Sequence, residues 1–343
     1  MRTLDTAGRT EWPADQLETL GHCPVCGSTA RDVLYSGLRD VVFGTAPGEW
    51  TLHRCLGCGC AYLDPRPDRE SIALAYQGYF THAGTGREPD KRLSVAQTWA
   101  RRLANGYRNA YYGTREAPVH WLGIVAGRLI PTFRNRIHRS FRCLGPEDRG
   151  RRVLDVGFGG GNFLYWARAM GCRVSGTDPD PVAVENARDL GFDVRRGGIE
   201  AFDDEPGEFD IITFGHVIEH LHDPMPALEK AHALLRKGGR LWLETPNFDS
   251  PGRRAFGPFW RGLESPRHLV LFSPASLSLL AQRAGFTDIS VQPDMENSIL
   301  EKSSHLAQSH GFKPGILEQL GRSVSVEDAE AFRLVATKMV CQG

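Results

Sequence analysis

Residues Val153–Leu164 read VLDVGFGGGNFL. Val153, Leu154 and Val156 make an apolar run suited to a buried parallel strand. Gly157, Gly159 and Gly161 follow at alternate positions. Without their Cβ atoms the turn can adopt positive φ, and a ligand can approach the main chain closely. From Asn162 the sequence NFLYWARAM resumes as a helix whose N-terminus points at that ligand. The stretch predicts a strand, a loop and a helix that together receive a nucleotide-like molecule.

The neighbouring residues narrow the ligand. A dinucleotide fingerprint wants G-x-G-x-x-G, whereas the spacing here is G-x-G-x-G. A P-loop needs Gly-Lys-Ser/Thr, and no Lys follows. The next strand, CRVSGTD, ends in Asp178. That carboxylate lies roughly 20 residues past the glycines, where it can accept both ribose hydroxyls of an adenosine. Asp155 inside the first strand would repel a pyrophosphate but suits an ammonium group. S-adenosylmethionine (SAM) has that ammonium and no phosphate.

Four motifs in order resemble class I SAM-dependent methyltransferases over roughly the last 190 residues, as one domain of a two-domain chain would. DVGFGGG (Asp155 to Gly161) is similar to the SAM-binding loop, and GTDPD (Gly176 to Asp180) to the ribose-binding strand end. FDIITFGHVIEHLHDP (Phe209 to Pro224) resembles the fourth strand and its loop. LLRKGGRLWLETPN (Leu234 to Asn247) resembles the helix, turn and fifth strand that follow. The resemblance implies an α/β, Rossmann-like sheet of seven strands in the order 3-2-1-4-5-7-6, the last antiparallel. It implies SAM held by Asp155, Gly157, Gly159, Gly161 and Asp178. It places Gly215 and His216 at the methionine end, Gly215 offering a carbonyl to the ammonium. Phe158 departs from the small residue that relatives often carry, which alters packing above the methionine tail.

The chain has 343 residues, enough for two domains, and a formal net charge of zero. No global field argues for nucleic acid or membrane. No opening segment reads as a signal peptide, and no apolar run reaches about 20 residues, so a cytoplasmic location is expected. There thiols stay reduced. Four of the eight cysteines are accounted for by spacing. Cys23 and Cys26 form CPVCG, and Cys55 and Cys58 form CLGCG. Two such knuckles read as a ribbon closed by a structural Zn²⁺. Cys60, His22 and His53 lie near enough to substitute for a ligand, while Cys143, Cys172 and Cys341 read as buried or incidental.

Residues 1–20 read as polar and loosely held, 21–66 as the zinc ribbon, 67–150 as a helical linker and cap, and 151–343 as the SAM-binding domain. SIALAYQGYF (71–80) reads as a helix with an aromatic turn, 82–92 as a linker, and GILEQLG as helical. Strands are expected near 152–157, 173–178, 192–195, 209–214, 240–245, 286–292 and 331–340. Residues 93–148 carry many arginines, with Glu116, Glu147 and Asp148 as the acids. One reading is a solvated helical face that keeps its arginines wet. The other is a peripheral membrane or polyanion contact, because VHWLGIVAGRLIPTFRNRIHRSF mixes Trp, Leu and Ile with arginine. A small or carrier-linked acceptor would suit either; nucleic acid is not expected.

Methyl transfer from a sulfonium needs alignment, and a base only if the acceptor must lose a proton. His216, Glu219 and His220 follow the fourth strand, at the end where open α/β sheets bind ligands. HVIEH alone matches the H-x-x-E-H zinc pattern, but FDIITF reads as strand and HDP follows at once, so the helix this needs is absent. A second cluster is WRGLESPRHLVLF, Trp260 to Phe272. The methyltransferases with an N-terminal zinc ribbon that it resembles share this run. Trp260, Glu264, Arg267 and His268 are expected to face one cleft, with His268 the first candidate base and His216 the second; a role for His268 in tying the loop to the sheet stays open. Asn247 is a candidate substrate contact. The acceptor atom expected is oxygen, on a glycan or secondary-metabolite hydroxyl. C-methylation of a nucleotide-linked sugar, N-methylation and a non-catalytic SAM-binding scaffold stay open.

Overall fold

A computed structural model describes residues 11–76, 94–294, 298–314 and 325–339. In chain order the N-terminal strands are β1 (Leu17–Glu18), β2 (Arg31–Leu38), β3 (Trp50–Cys55), β4 (Ala61–Leu63) and β5 (Arg66–Pro67). Helices α1 (Val95–Tyr112), α2 (Leu122–Leu129) and α3 (Pro131–Arg139) follow. Then come β6 (Arg152–Val156), α4 (Asn162–Ala169), β7 (Arg173–Asp178), α5 (Pro181–Asp189), β8 (Asp193–Arg196) and β9 (Phe209–Gly215). The chain continues through α6 (Pro224–Leu234), β10 (Leu235–Pro246), α7 (Pro251–Phe256), β11 (Val270–Leu271) and α8 (Pro274–Arg283). It ends with β12 (Phe286–Asp294), α9 (Ser298–Ser309) and β13 (Ala331–Lys338).

The main sheet has the order β12-β13-β10-β9-β6-β7-β8, which is the expected 3-2-1-4-5-7-6 read from its other edge. β6, β7 and β8 pair in parallel, and β13 runs antiparallel to β12. This is a Rossmann-like sheet. Val153, Leu154 and Val156 are buried in β6, as an interior parallel strand requires. Helix starts are capped locally: Asp180 accepts from the Val182 N–H at 2.9 Å ahead of α5, and Ser273 with Ser276 forms a capping box ahead of α8.

The chain divides into two compact units: Met1–Tyr79 with Phe214–His232 and Leu243–Gly343, and Phe80–Thr213 with Ala233–Trp242. In the first, a four-stranded antiparallel sheet has the order β11-β4-β3-β2. Its fourth strand thus comes from Val270–Leu271, outside residues 21–66. Trp12, Trp50, Leu63, Phe256 and Trp260 share the core of this unit. In the second, Tyr107, Phe141, Val153, Phe163 and Met170 pack together.

Several expectations need correction. The chain is held in place from Trp12 onward, because that indole is buried 5.4 Å from Trp50 and β1 pairs with β5. SIALAYQGYF gives only a 3₁₀ turn, Ile72–Tyr76, before leaving the described residues. β10 begins at Leu235 directly after α6, earlier than the strand expected near 240–245, and Gly238 takes a positive φ of 75° within it. The linker at 82–92, GILEQLG and Cys341 lie outside the described residues. Among the described residues no helix is long and apolar enough to cross a membrane.

Candidate functional site

The glycine loop lies in the second unit. Gly157, Gly159 and Gly161 all adopt positive φ, 68°, 52° and 67°. Each would be strained with a side chain. The Gly157 and Phe158 N–H groups both donate to the Thr177 carbonyl, at 2.7 and 3.2 Å, which fastens the loop to β7. Asp178 closes the loop: its carboxylate accepts from the Gly159 N–H at 2.8 Å and the Asp180 N–H at 3.0 Å. Burial pushes the Asp178 carboxyl up from its usual value, and those two N–H groups oppose it. Phe158 is buried and packs onto Gly176, where a Cβ would crowd its ring at 2.8 Å.

Asp155 is fully buried on β6, and Arg142 meets it in an ion pair. The same guanidinium donates to Thr213 Oγ1 at 2.7 Å, and Thr213 in turn lies 2.8 Å from Asp155 Oδ1. Arg142 stacks over Phe163, 4.1 Å from the ring centroid. Asp155 Oδ2 is buried with no hydrogen-bond partner among the described residues. Burial pushes this carboxyl up, with Arg142 pulling the other way. Sequence reasoning counted Arg142 only as one of many arginines. The signal for its role was a carboxylate inside an apolar strand, which needs a countercharge.

The histidines lie in the first unit. β9 ends at Gly215, and His216 turns the chain with φ 55°, its N–H donating to the Glu244 carbonyl at 2.8 Å. The His216 ring reaches Glu219 Oε1 and Glu244 Oε1, both at 3.3 Å. Its side chain is 44 % exposed, so water shares in holding the imidazolium. Burial opposes that charge, but the bonds to Glu219 and Glu244 prevail and the pKa is pushed up to about 10. Glu219 is fully buried, and its Oε2 has no hydrogen-bond partner among the described residues. His220 Nδ1 lies 2.9 Å from the Tyr76 hydroxyl and 3.1 Å from the Arg267 carbonyl.

The WRGLESPRHLVLF run is buried more completely than the sequence implied. His268 Nδ1 lies 2.7 Å from the Gly262 carbonyl, a contact that fixes the proton on Nδ1 and leaves Nε2 the lone pair. Burial holds its pKa down to about 3, with the nearby His220 adding to the effect. The His220 and His268 rings meet edge to face at 4.6 Å. Arg267 forms a fork on Asp40, at 3.0 and 2.9 Å, and reaches Thr45 Oγ1 at 2.7 Å. The Trp260 indole N–H donates to Glu330 at 2.7 Å, and Glu264 pairs with Arg261. Asn247 is fully buried, and its amide donates to the Val326 and Ala329 carbonyls.

In the same unit Cys23, Cys26, Cys55 and Cys58 bring their sulfurs within 4.8 Å of one another. Cys23 and Cys58 are 3.6 Å apart, Cys26 and Cys55 3.5 Å. Each knuckle points a backbone N–H at its first sulfur: Val25 at Cys23, 3.4 Å, and Gly57 at Cys55, 3.3 Å. Gly27 and Gly59 close the two turns with φ 79° and 78°. Contacts from Cys58 and Cys60 hold the Cys23 thiol far below its usual pKa. Cys60 is a buried neighbour, 3.4 Å from both Cys23 and Cys58. The His53 ring is engaged elsewhere, 3.1 Å from the Asp64 carbonyl.

Parts of the chain are similar to known proteins. Residues 129–291 match the Methyltransf_23 family, described as a methyltransferase domain. Ubiquinone biosynthesis O-methyltransferase of Pseudomonas aeruginosa (strain UCBPP-PA14) is 34% identical over 105 residues, covering 29% of this chain and 45% of the relative. The protein of that name from Methylocella silvestris is 34% identical over 145 residues, covering 38% and 56%. The chain thus spans about half the length of the curated relatives it matches. Among solved structures, a SAM-dependent methyltransferase of Thermotoga maritima, described as a possible histamine N-methyltransferase, aligns with TM-score 0.42 at 21% identity, covering 63% of this chain and 98% of that one. Phosphoethanolamine N-methyltransferase 2 of Haemonchus contortus, in complex with SAM, aligns with TM-score 0.44 at 20% identity, covering 60% and 52%. Residues 129–291, just under half of the chain, thus resemble a methyltransferase domain of the Methyltransf_23 family on a Rossmann-like sheet.

Proposed function

We propose that the protein transfers a methyl group from SAM to an acceptor hydroxyl. The observation that carries this is the glycine loop drawn onto Asp178 by the Gly159 N–H. A carboxylate accepts about four hydrogen bonds. Gly159 and Asp180 use two of those of Asp178, which leaves capacity for two ribose hydroxyls. Asp155 Oδ2 is the buried acceptor that remains for an ammonium, while Arg142 neutralises the other oxygen. Gly215 and His216 are the further residues we assign to the methionine end. SAM would supply a methyl carbon already activated by positive sulfur, so positioning carries much of the rate.

Oxygen is favoured as acceptor by relatives named as O-methyltransferases. A small or carrier-linked hydroxyl, on a glycan or secondary metabolite, is the substrate class we infer. His268 is the first candidate for the base, because its Nε2 keeps a lone pair at neutral pH; His216 is the second. Titration calorimetry should detect heat with both SAM and S-adenosylhomocysteine, and Asp178→Ala should weaken both by roughly 10- to 100-fold. Well-folded protein that gives no heat with either would overturn the reading. Mass spectrometry of extracts should then show which metabolite gains one CH₂ unit, and whether oxygen or carbon holds it.

The four cysteines fit a structural zinc ion. Zn–S bonds of about 2.3 Å put tetrahedral sulfurs about 3.8 Å apart. The cross-knuckle separations of 3.6 and 3.5 Å are close to that, and far from a disulfide's about 2.0 Å. Cys23, Cys26, Cys55 and Cys58 would hold the ion with no position left for substrate, so its part is to fold the ribbon.

A further inference from the structure

Helix α2 is built with its polarity reversed. Gly123 and Gly127 are buried, and they face α1 so closely that a Cβ on Gly123 would collide with the Leu103 carbonyl and one on Gly127 with the Tyr107 ring. The glycine face is therefore the packed face. Leu122, Val125 and Leu129 recur at i, i+3 and i+7, one stripe of the helix. That stripe looks outward: they are 42%, 39% and 74% exposed. In an ordinary surface helix this stripe would be the buried one.

The apolar surface continues beyond α2. Trp121, 67% exposed, precedes the helix, and Ile130, also exposed, follows it. His120 joins Trp121 to the exposed Trp99 of α1, with ring centroids 6.2 and 5.2 Å away. Two indoles and four aliphatic side chains on one surface are more than singly scattered apolar residues would give. The surroundings are basic. From Arg101 to Arg142 the sequence holds one acid, Glu116. Arg128 lies in the last turn of α2, Arg136 is exposed on α3, and Arg102 lies over the Trp99 ring at 5.5 Å.

We propose that this face of α2, with Trp99 and Trp121, docks in plane on an anionic lipid bilayer. Leucines would enter the acyl boundary, indoles would sit at the headgroup level, and arginines would meet lipid phosphates. A second copy of the chain fits less well, because a two-fold contact would set the same basic rim against itself. Nucleic acid would use the arginines but leave the aliphatic stripe in water.

The test is cosedimentation of the full-length protein with phosphatidylcholine–phosphatidylglycerol vesicles and with pure phosphatidylcholine vesicles. Binding is expected to the first, falling with added salt and much weaker on the second. Leu122→Ser with Leu129→Ser should reduce it at least tenfold or so, and Arg128→Gln by roughly fivefold. These positions are exposed, so circular dichroism should show unchanged folding. The proposal fails if the wild type ignores both vesicles, or if the leucine variant binds as well as the wild type. It also fails if the wild type is a dimer that the leucine variant dissolves, or binds DNA undiminished by the leucine changes while ignoring vesicles.

Discussion

His216 and His268 carry the same ring into opposite surroundings. Two carboxylates hold His216 as an imidazolium up to about pH 10, while burial and His220 keep His268 neutral down to about pH 3. A base must be deprotonated to act. With His268 as base, turnover should be flat from about pH 5 to 9, and His268→Ala should lower kcat by about 10²- to 10⁴-fold with SAM affinity intact. A rate that climbs tenfold per pH unit toward pH 10 would hand the role to His216. Stability follows the same charges with opposite signs. The contribution of His216 is complete below its unfolded pKa of about 6.5 and is lost as pH rises toward about 10. That of His268 is complete above about 6.5 and is lost as pH falls toward about 3. Urea midpoints below pH about 6.5 should therefore drop more steeply in the wild type than in His268→Asn. At this scale the sequence disclosed Asp155, Asp178 and the glycines, because backbone freedom and strand-end carboxylates are local properties. It did not disclose Glu244 or Tyr76, whose relevance to His216 and His220 exists only once distant segments meet.

The loop from Trp260 to β11 shows what an element can hide. Its W-x-G-L-x-x-P-R-H-L pattern is visible in the sequence, and its polar residues suggest a cleft. Arg267 instead pairs with Asp40, 227 positions away, with both side chains buried. Burial would raise the Asp40 carboxyl, but the Arg267 fork and the Phe43 and Ala46 N–H groups bring it down to about 2. Removing the cation leaves a carboxylate stranded in the interior. Arg267→Ala should cost about 3–5 kcal/mol in urea unfolding. The pair's contribution should be present above about pH 4 and be lost as pH falls through about 2. The cysteine ribbon makes a separate prediction. Chelation should expose residues 21–66 to protease and release one zinc per chain, measured by a colorimetric dye; protein that holds no metal, or resists protease equally after chelation, would refute the zinc assignment.

Over the molecule as a whole, alternating strand and helix signals were enough to lay out all seven strands of the main sheet, since period and glycine punctuation are repeated at each crossover. The limits of the two compact units fall inside β9 and β10. Because those strands are common to both, calorimetry should record one unfolding transition. SAM at about 100 times its Kd should add about 2.7 kcal/mol to it, raising the Tm by several degrees. Two transitions, with only one responding to SAM, would show the units melting separately. The pairing of β11 with β4 bears on how the gene can be cut. A shortened version that starts after Pro67 would strip Val270 and Leu271 of their strand neighbour, two positions downstream of His268. Such a raw β edge recruits other chains, so the front of this protein cannot be treated as a removable cassette, and the clipped product should collect in inclusion bodies.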